Sequence, residues 1–171
     1  VAPLLLILGD KPEALKEAFI AQTGLTHNSK AVVEAAGFFA DLVTALLEGK
    51  ELRASLQSIA SGYSRTIQDW VEKGMDSSSK KKTSLVIKKF GQACSIDHVF
   101  PGIIHLITKY TDDYRLAMEE NAKAGGDSAA RGMSVGMILG IINGEEAIPE
   151  NWKKNLAAYG KIKSYISSIS P

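Results

Sequence analysis

Two glycines and an aspartate, Gly125, Gly126 and Asp127, stand directly before an apolar segment rich in small residues, SAARGMSVGMILG. A carboxylate in this position is expected at the N-terminus of a helix, at the positive end of the helix dipole. Three roles are open to it. It can accept from amides of its own helix, pair with Arg131 one turn away, or bind a divalent cation that prefers oxygen ligands. The residue types alone favour capping or pairing over metal binding.

Other residues whose side chains could take part in chemistry have simpler structural explanations. Thr111 is placed to cap the helix that follows, and Asp112 and Asp113 in the first turn complement the dipole of that helix. The histidines and the single cysteine have no zinc spacing, and we expect structural roles for His27, His98 and His105 and a buried position for Cys94. The stretch GMDSSSKKKTS, residues 74–84, is typical of a solvated connection rather than a phosphate site.

The composition describes one globular domain of 171 residues, with 45% hydrophobic residues, 23% charged residues and a formal net charge of +1. Nearly balanced charges produce no strong global field, so neither nucleic acid nor a membrane surface is favoured as a partner. A single cysteine cannot form an internal disulfide, and we therefore expect a cytoplasmic protein.

The elements that position these residues are predicted to be helices, because no segment alternates with the period of a strand. Caps and glycines delimit predicted helices over residues 10–24, 28–49, 52–72, 85–90, 101–110, 111–124 and 127–143, with a last helix from 149 onwards. In the first of these, Asp10 is the predicted N-cap. The predicted fold is all-α, a packed cluster of about eight helices.

Gly132, Gly136 and Gly140 fall four residues apart in the helix after Asp127. Each glycine costs about 1 kcal/mol of helix stability relative to alanine. We interpret the stripe as the place where another helix backbone crosses without side chains between the two helices.

The apolar run from Leu4 to Leu8 is too short to span a bilayer and lacks the flanks of a secretory signal. We interpret it as the end of a core helix that begins earlier. Residues 1–171 are then expected to be the C-terminal part of a single larger domain, whose core is completed by an upstream helical segment.

Three stretches carry a resemblance to a known family. AGGDSAARGMSVGMILG followed by EEAIPENW resembles the C-terminal signature of the ADP-ribosylglycohydrolase family. GLTHNSKAVVEAAGFFADLVTALLEG is similar to the family's threonine-histidine turn and the alanine-rich helix after it. FGQACSIDHVFPGIIHLITKY resembles the branch that includes the J-type lens crystallins. The resemblance implies a compact, multi-helix, all-α domain that is incomplete at its N-terminus.

The resemblance also implies hydrolysis of the bond between ADP-ribose, or a related nucleotide sugar, and its carrier, assisted by two magnesium ions. One set of ligands lies in an N-terminal half that is not part of these residues. The other set matches Asp127 as a metal ligand, whereas Ala129 and Ala130 stand where the family has an aspartate and a threonine or serine. Gly125, Gly126 and Ser128 are implied to bind substrate by presenting amides to phosphate or ribose, and no catalytic residue is identified.

Two functions therefore remain open. The first is a metal-assisted glycosidic hydrolase. The second is a catalytically degenerate family member that acts as a binding or crystallin-like structural protein, in which Arg131 pairs with Asp127 and supplies the charge that a metal would have carried.

Overall fold

The computed structural model describes residues 1–80 and 82–169, and all the regular structure within these ranges is helical. The helices are α1 (Leu4–Leu8), α2 (Pro12–Gly24), α3 (Lys30–Leu47), α4 (Leu52–Ala60), α5 (Arg65–Ser77), α6 (Thr83–Phe90), α7 (Ile96–Lys109), α8 (Tyr114–Ala124), α9 (Ser128–Asn143), α10 (Glu150–Asn155) and α11 (Tyr159–Ile169), with a 3₁₀ turn at Glu145–Ala147. The predicted all-α class is confirmed. The larger number of helices arises because α1 precedes the first of the predicted helices and because the predicted helices 52–72 and 149 onwards are each divided.

Helix α7 forms the centre of the fold and is buried from Val99 to Thr108. This segment is apolar on all sides, which is typical of a helix enclosed by others. It packs against α5, α6 and α9, while α2 packs against α3 on the other side of the core. Phe100 of α7 joins the two parts, since its ring centroid lies 5.3 Å from that of Phe38 in α3.

The sequence predicted that α7 begins at Pro101. The helix instead begins at Ile96, and Pro101 lies inside it. A proline in a helix removes one backbone hydrogen bond. The packing of α7 against three other helices outweighs this loss, and residues 96–100, which lie before the predicted helix 101–110, form the start of α7.

The predicted helix 52–72 is divided at residues 61–64 by a contact with α3. The carboxylate of Glu34 accepts hydrogen bonds from the amide and the hydroxyl of Ser64, at 2.8 and 2.9 Å. These bonds hold the chain in a non-helical conformation directly before α5. The division results from a tertiary contact that no local pattern contains.

Helix α5 continues through Gly74, where the solvated connection was predicted to begin. A Cβ atom at Gly74 would lie 2.5 Å from Cβ of Ile104 and 2.8 Å from the carbonyl oxygen of Pro101. Gly74 therefore allows α5 to cross close to α7, and the connection is shorter than predicted. Lys81, within the predicted connection, lies outside the described residues.

Two predicted helix caps are wrong. Lys11, rather than Asp10, occupies the N-cap position of α2, and no side chain caps that helix. The hydroxyl of Thr111 donates to the carbonyl oxygen of Ile107 at 2.8 Å and so closes the end of α7. Asp113 caps α8 instead, because its carboxylate accepts from the amide of Leu116 at 2.9 Å.

The glycine stripe of α9 does face another helix, α8, but side chains fill the contact. A Cβ atom at Gly132 would lie 2.8 Å from Nδ2 of Asn121, and one at Gly136 would lie 3.3 Å from the hydroxyl of Tyr114. Nothing lies within 4 Å of the corresponding position at Gly140. The predicted contact between bare backbones is therefore wrong, and the space beside the first two glycines accommodates α8 side chains.

The two ends of the described chain lie together and expose apolar side chains. Leu4, Leu5 and Leu8 of α1 pack against the core, and α1 also contacts α11. Apolar residues of both helices remain exposed, namely Leu6, Ile7, Ile162, Tyr165, Ile166 and Ile169. Among the described residues, no helix has the length and apolar character needed to cross a bilayer.

Candidate functional site

The turn between α8 and α9 is formed by Gly125 and Gly126, which have φ angles of +66° and +65°. Residues other than glycine rarely adopt such φ angles. A Cβ atom at Gly126 would also overlap the backbone of Gln92. Both glycines are therefore required by the turn that delivers Asp127 to the start of α9.

Asp127 caps α9, as the residue types had favoured. Its Oδ1 atom accepts a hydrogen bond from the amide of Ala130 at 3.2 Å. Oδ2 accepts none from the described residues. The side chain is half-buried, so one carboxylate oxygen stabilises the helix while the other is available to a ligand.

Arg131 is almost fully buried, with 1% of its surface exposed, and it does not pair with Asp127. Its guanidinium donates to Oδ1 and the carbonyl oxygen of Asn121, at 2.7 and 3.2 Å, and to the carbonyl oxygen of Gly125 at 2.9 Å. No ion pair within 4.0 Å joins it to any acid in the described part of the chain. The predicted pair is therefore wrong.

The position of Arg131 has a clear electrostatic reason. Carbonyl oxygens at the C-terminal end of α8 carry partial negative charge and have no partner in the helix, so a guanidinium is favourable there. Burial lowers the pKa of Arg131, and the negative charge of Asp127 acts in the opposite direction. The side chain therefore connects the end of α8 to the start of α9 from the inside of the fold.

Gln92 holds the same turn from the outside and was missed by the sequence reasoning. Its Nε2 atom donates to the carbonyl oxygen of Ala124 at 2.7 Å, and its own carbonyl accepts from the amide of Asp127 at 3.0 Å. The only local signal was the preceding Gly91. It has a φ of +114°, and a Cβ atom there would lie 2.4 Å from Nδ1 of His98. That signal indicates a turn but does not indicate what the turn contacts.

The amides of the turn are only partly available to a substrate. Those of Gly125, Asp127 and Ser128 donate to the carbonyl oxygens of Ala122, Gln92 and Gly126. The amides of Gly126 and Ala129 have no partner within the described residues. The predicted substrate-binding residues thus share one turn with Asp127, but internal hydrogen bonds already occupy the amides of two of them, Gly125 and Ser128.

The threonine and two aspartates at 111–113 do not join this turn. Asp113 caps the N-terminus of α8, whereas Asp127 follows the C-terminus of the same helix. Helix α8 has 11 residues, which places its two ends about 16 Å apart at a rise of about 1.5 Å per residue. The two groups of acids therefore belong to different places in the fold.

The histidines and the cysteine lie outside the turn. His105 is fully buried and bonded, with Nδ1 2.8 Å from the hydroxyl of Ser77 and Nε2 3.1 Å from that of Thr83, in agreement with a structural role. His27 contacts the hydroxyl of Thr26 in an exposed turn. Cys94 is exposed, so its predicted burial is wrong. It lies in the connection between α6 and α7, where residues 92–95 all face solvent.

Comparison with known proteins places the chain in a family. The family model described as ADP-ribosylglycohydrolase matches residues 1–170. The chain belongs to the ADP-ribosylglycohydrolase family. It is 29% identical to Crystallin J1B of Tripedalia cystophora over 83 residues, which are 48% of this chain and 26% of that protein. The matched stretch therefore spans about a quarter of the length of that relative.

The side chains around Asp127 do not form a magnesium site by themselves in this ADP-ribosylglycohydrolase-family chain. Magnesium favours octahedral oxygen coordination, with carboxylates that hold it in place. Ala129 and Ala130 present methyl groups beside Asp127. Across residues 1–80 and 82–169, no group of at least three His, Cys, Asp or Glu side chains is arranged to hold a metal. Asp127 can supply one ligand, and further carboxylates would have to come from other residues.

Proposed function

We propose that this chain is part of a hydrolase that cleaves the glycosidic bond between ADP-ribose, or a related nucleotide sugar, and its carrier. The match of the ADP-ribosylglycohydrolase family model over residues 1–170 carries this proposal. The geometry of the turn supports it, because a helix N-terminus with unpartnered amides attracts phosphate and other anions. An ADP-ribosyl group offers both phosphates and ribose hydroxyls to such a turn.

In this proposal Asp127 is a metal ligand through its unbonded Oδ2, and Gly125, Gly126 and Ser128 form the surface that faces the substrate. The amide of Gly126 donates to a phosphate or ribose oxygen. The proposal includes magnesium only if an upstream segment of the same protein supplies the remaining carboxylates. A cytoplasmic location without nucleic-acid or membrane partners remains part of the same proposal.

A second candidate function is a catalytically degenerate family member that binds a ligand or serves as a crystallin-like structural protein. Two observations favour it. Methyl groups stand at positions 129 and 130, and the similar protein from Tripedalia cystophora carries the name of a crystallin. In this case Asp127 would serve only as a helix cap, and the turn would bind a ligand without hydrolysing it or bind none.

The two functions are separated by an assay of the natural protein that includes any segment upstream of Val1. Release of ADP-ribose from an ADP-ribosylated protein is measured with magnesium and with a chelator. Release that requires magnesium and is lost in Asp127→Asn supports the hydrolase. Binding of ADP-ribose without release supports the degenerate member. Release that is unchanged in Asp127→Asn contradicts the proposed role of the turn.

A further inference from the structure

An open groove lies between α5 and α6, away from the Asp127 turn. Both helices pack against α7, and the space between them has a volume of about 740 Å³. It shares no lining residue with the turn. Nothing in the proposed hydrolase accounts for it.

The rim of the groove is strongly basic. Lys73, Lys80, Lys82 and Lys89 line it, and Asp76 is the one acid among the lining residues. Four lysines and one aspartate give a formal charge of +3, whereas the whole chain carries +1. None of these lysines lies in an ion pair with another residue of the described chain. The positive charge of the rim is therefore not neutralised from within.

The floor of the groove is apolar. Val86 and Phe90 are nearly buried, and Leu85 exposes 60% of its surface. The ammonium group of Lys73 lies 5.0 Å from the centroid of the Phe90 ring, within the range of a cation–π interaction. The groove thus combines a small apolar floor with a cationic rim.

Hydrogen bonds of the buried His105 connect the two sides of the groove. The imidazole of His105, on α7, contacts Ser77 at the end of α5 and Thr83 at the start of α6. The hydroxyl of Thr83 also lies 2.7 Å from that of Tyr110. A site that is already formed loses less conformational entropy when a ligand binds.

We propose that this groove binds a short acidic segment of a partner protein. One apolar side chain of the segment contacts Leu85, the exposed residue of the floor, and the flanking carboxylates lie against the lysines. Charge complementarity favours an anionic partner. Nucleic acid fits less well, because Phe90 has only 7% of its surface exposed and offers no ring face for base stacking. The floor is also smaller than the apolar face with which helices bind membranes.

The test is a fluorescence anisotropy titration of the whole chain with the labelled peptide DEELFEED. We expect saturable binding that weakens as salt is raised, since exposed charges are screened. Lys82→Glu combined with Lys89→Glu should weaken binding roughly tenfold, because two attractive contacts become repulsive. Lys161→Glu combined with Lys163→Glu, outside the groove, is the charge-matched control and should leave binding unchanged.

The apolar anchor is tested with the peptide DEESSEED and with Leu85→Ser, and both should weaken binding several-fold. Thermal melts establish that each variant is folded. Equal affinity for the two peptides, or an equal loss in the control variant, would show general attraction of anions and overturn the proposal. Tighter binding of an RNA oligonucleotide or of anionic vesicles than of DEELFEED would also overturn it, in favour of that class of partner.

Discussion

The amide nitrogen of Asp127 lies 3.0 Å from the carbonyl oxygen of Gln92, so the residue that caps α9 is held by the connection between α6 and α7. On the inner side of the same turn, Arg131 donates to the carbonyl oxygen of Gly125. The position of Asp127 therefore depends on groups on both sides of the turn.

The cap and ligand roles of Asp127 can be separated by two substitutions. Asp127→Ala should lower the free energy of unfolding by about 1 kcal/mol, because the α9 cap is lost. Asp127→Asn retains a good capping group, so its stability should remain within a few tenths of a kcal/mol of wild type. If Asp127 is a metal ligand, Asp127→Asn should nevertheless lose magnesium-dependent ADP-ribose release. Chemical denaturation and the hydrolysis assay give the two readouts, and Asp113→Ala in α8 controls for loss of a cap alone.

Restoring the family pattern should raise metal affinity. The double variant Ala129→Asp and Ala130→Thr adds one carboxylate and one hydroxyl beside Asp127, which are oxygen ligands that magnesium favours. Titration calorimetry with magnesium, in protein that includes the proposed upstream segment, should detect tighter binding than in the same protein without the two substitutions. An unchanged affinity would favour the degenerate, crystallin-like function.

The glycines of α9 should differ in their response to substitution. Gly136→Leu should destabilise the protein by about 1–3 kcal/mol, since the side chain would overlap Tyr114 and Met118 of α8. Gly140→Ala should stabilise it by up to about 1 kcal/mol, because the position is open and alanine favours a helix. Equal melting of Gly136→Leu and wild type would show that α8 does not pack closely on this face.

His105 should make the protein sensitive to mild acid. Burial lowers the pKa of His105 to about 4, and the positive charge of Lys109 acts in the same direction. An unfolded histidine has a pKa of about 6.5, so between these values the unfolded state binds more protons and stability falls as the pH is lowered. The contribution reaches about 3 kcal/mol at most.

The measurement is the free energy of unfolding of wild type and His105→Gln between pH 7 and pH 4. The substitution lowers stability at neutral pH, because hydrogen bonds to Ser77 and Thr83 are changed, but it should also reduce the dependence on pH. Parallel curves for the two proteins would mean that His105 does not titrate in this window.

The exposed apolar residues of α1 and α11 predict that residues 1–171 associate when they are studied alone. Contiguous apolar surface of this kind tends to become covered by another protein surface. Light scattering should show a larger mean mass as the concentration rises, and Ile162→Ser with Ile166→Ser should reduce it. If the proposed upstream helical segment covers this face, a protein that includes it should show less association.

Several features of this protein could be predicted from the sequence because they depend on residues close together in the chain. Ser29 accepts from the amide of Val32, and Asp127 accepts from that of Ala130. Both are caps within one helical turn, where residue type determines the interaction. The all-α class follows for the same reason, since the apolar residues repeat with the period of a helix throughout the chain. The family signature around Gly125, Gly126 and Asp127 is likewise a local pattern.

Only the tertiary structure decided which distant groups these local elements contact. Glu34 divides the predicted helix 52–72 by binding Ser64, and the packing of α7 accommodates Pro101 within a helix. Arg131 has a nearer acid in the sequence, yet its guanidinium donates to Asn121 and Gly125, because the C-terminal carbonyls of α8 lie beside it once α8 and α9 pack together. The energies of such contacts depend on which side chains the fold brings together, and chain spacing does not contain that information.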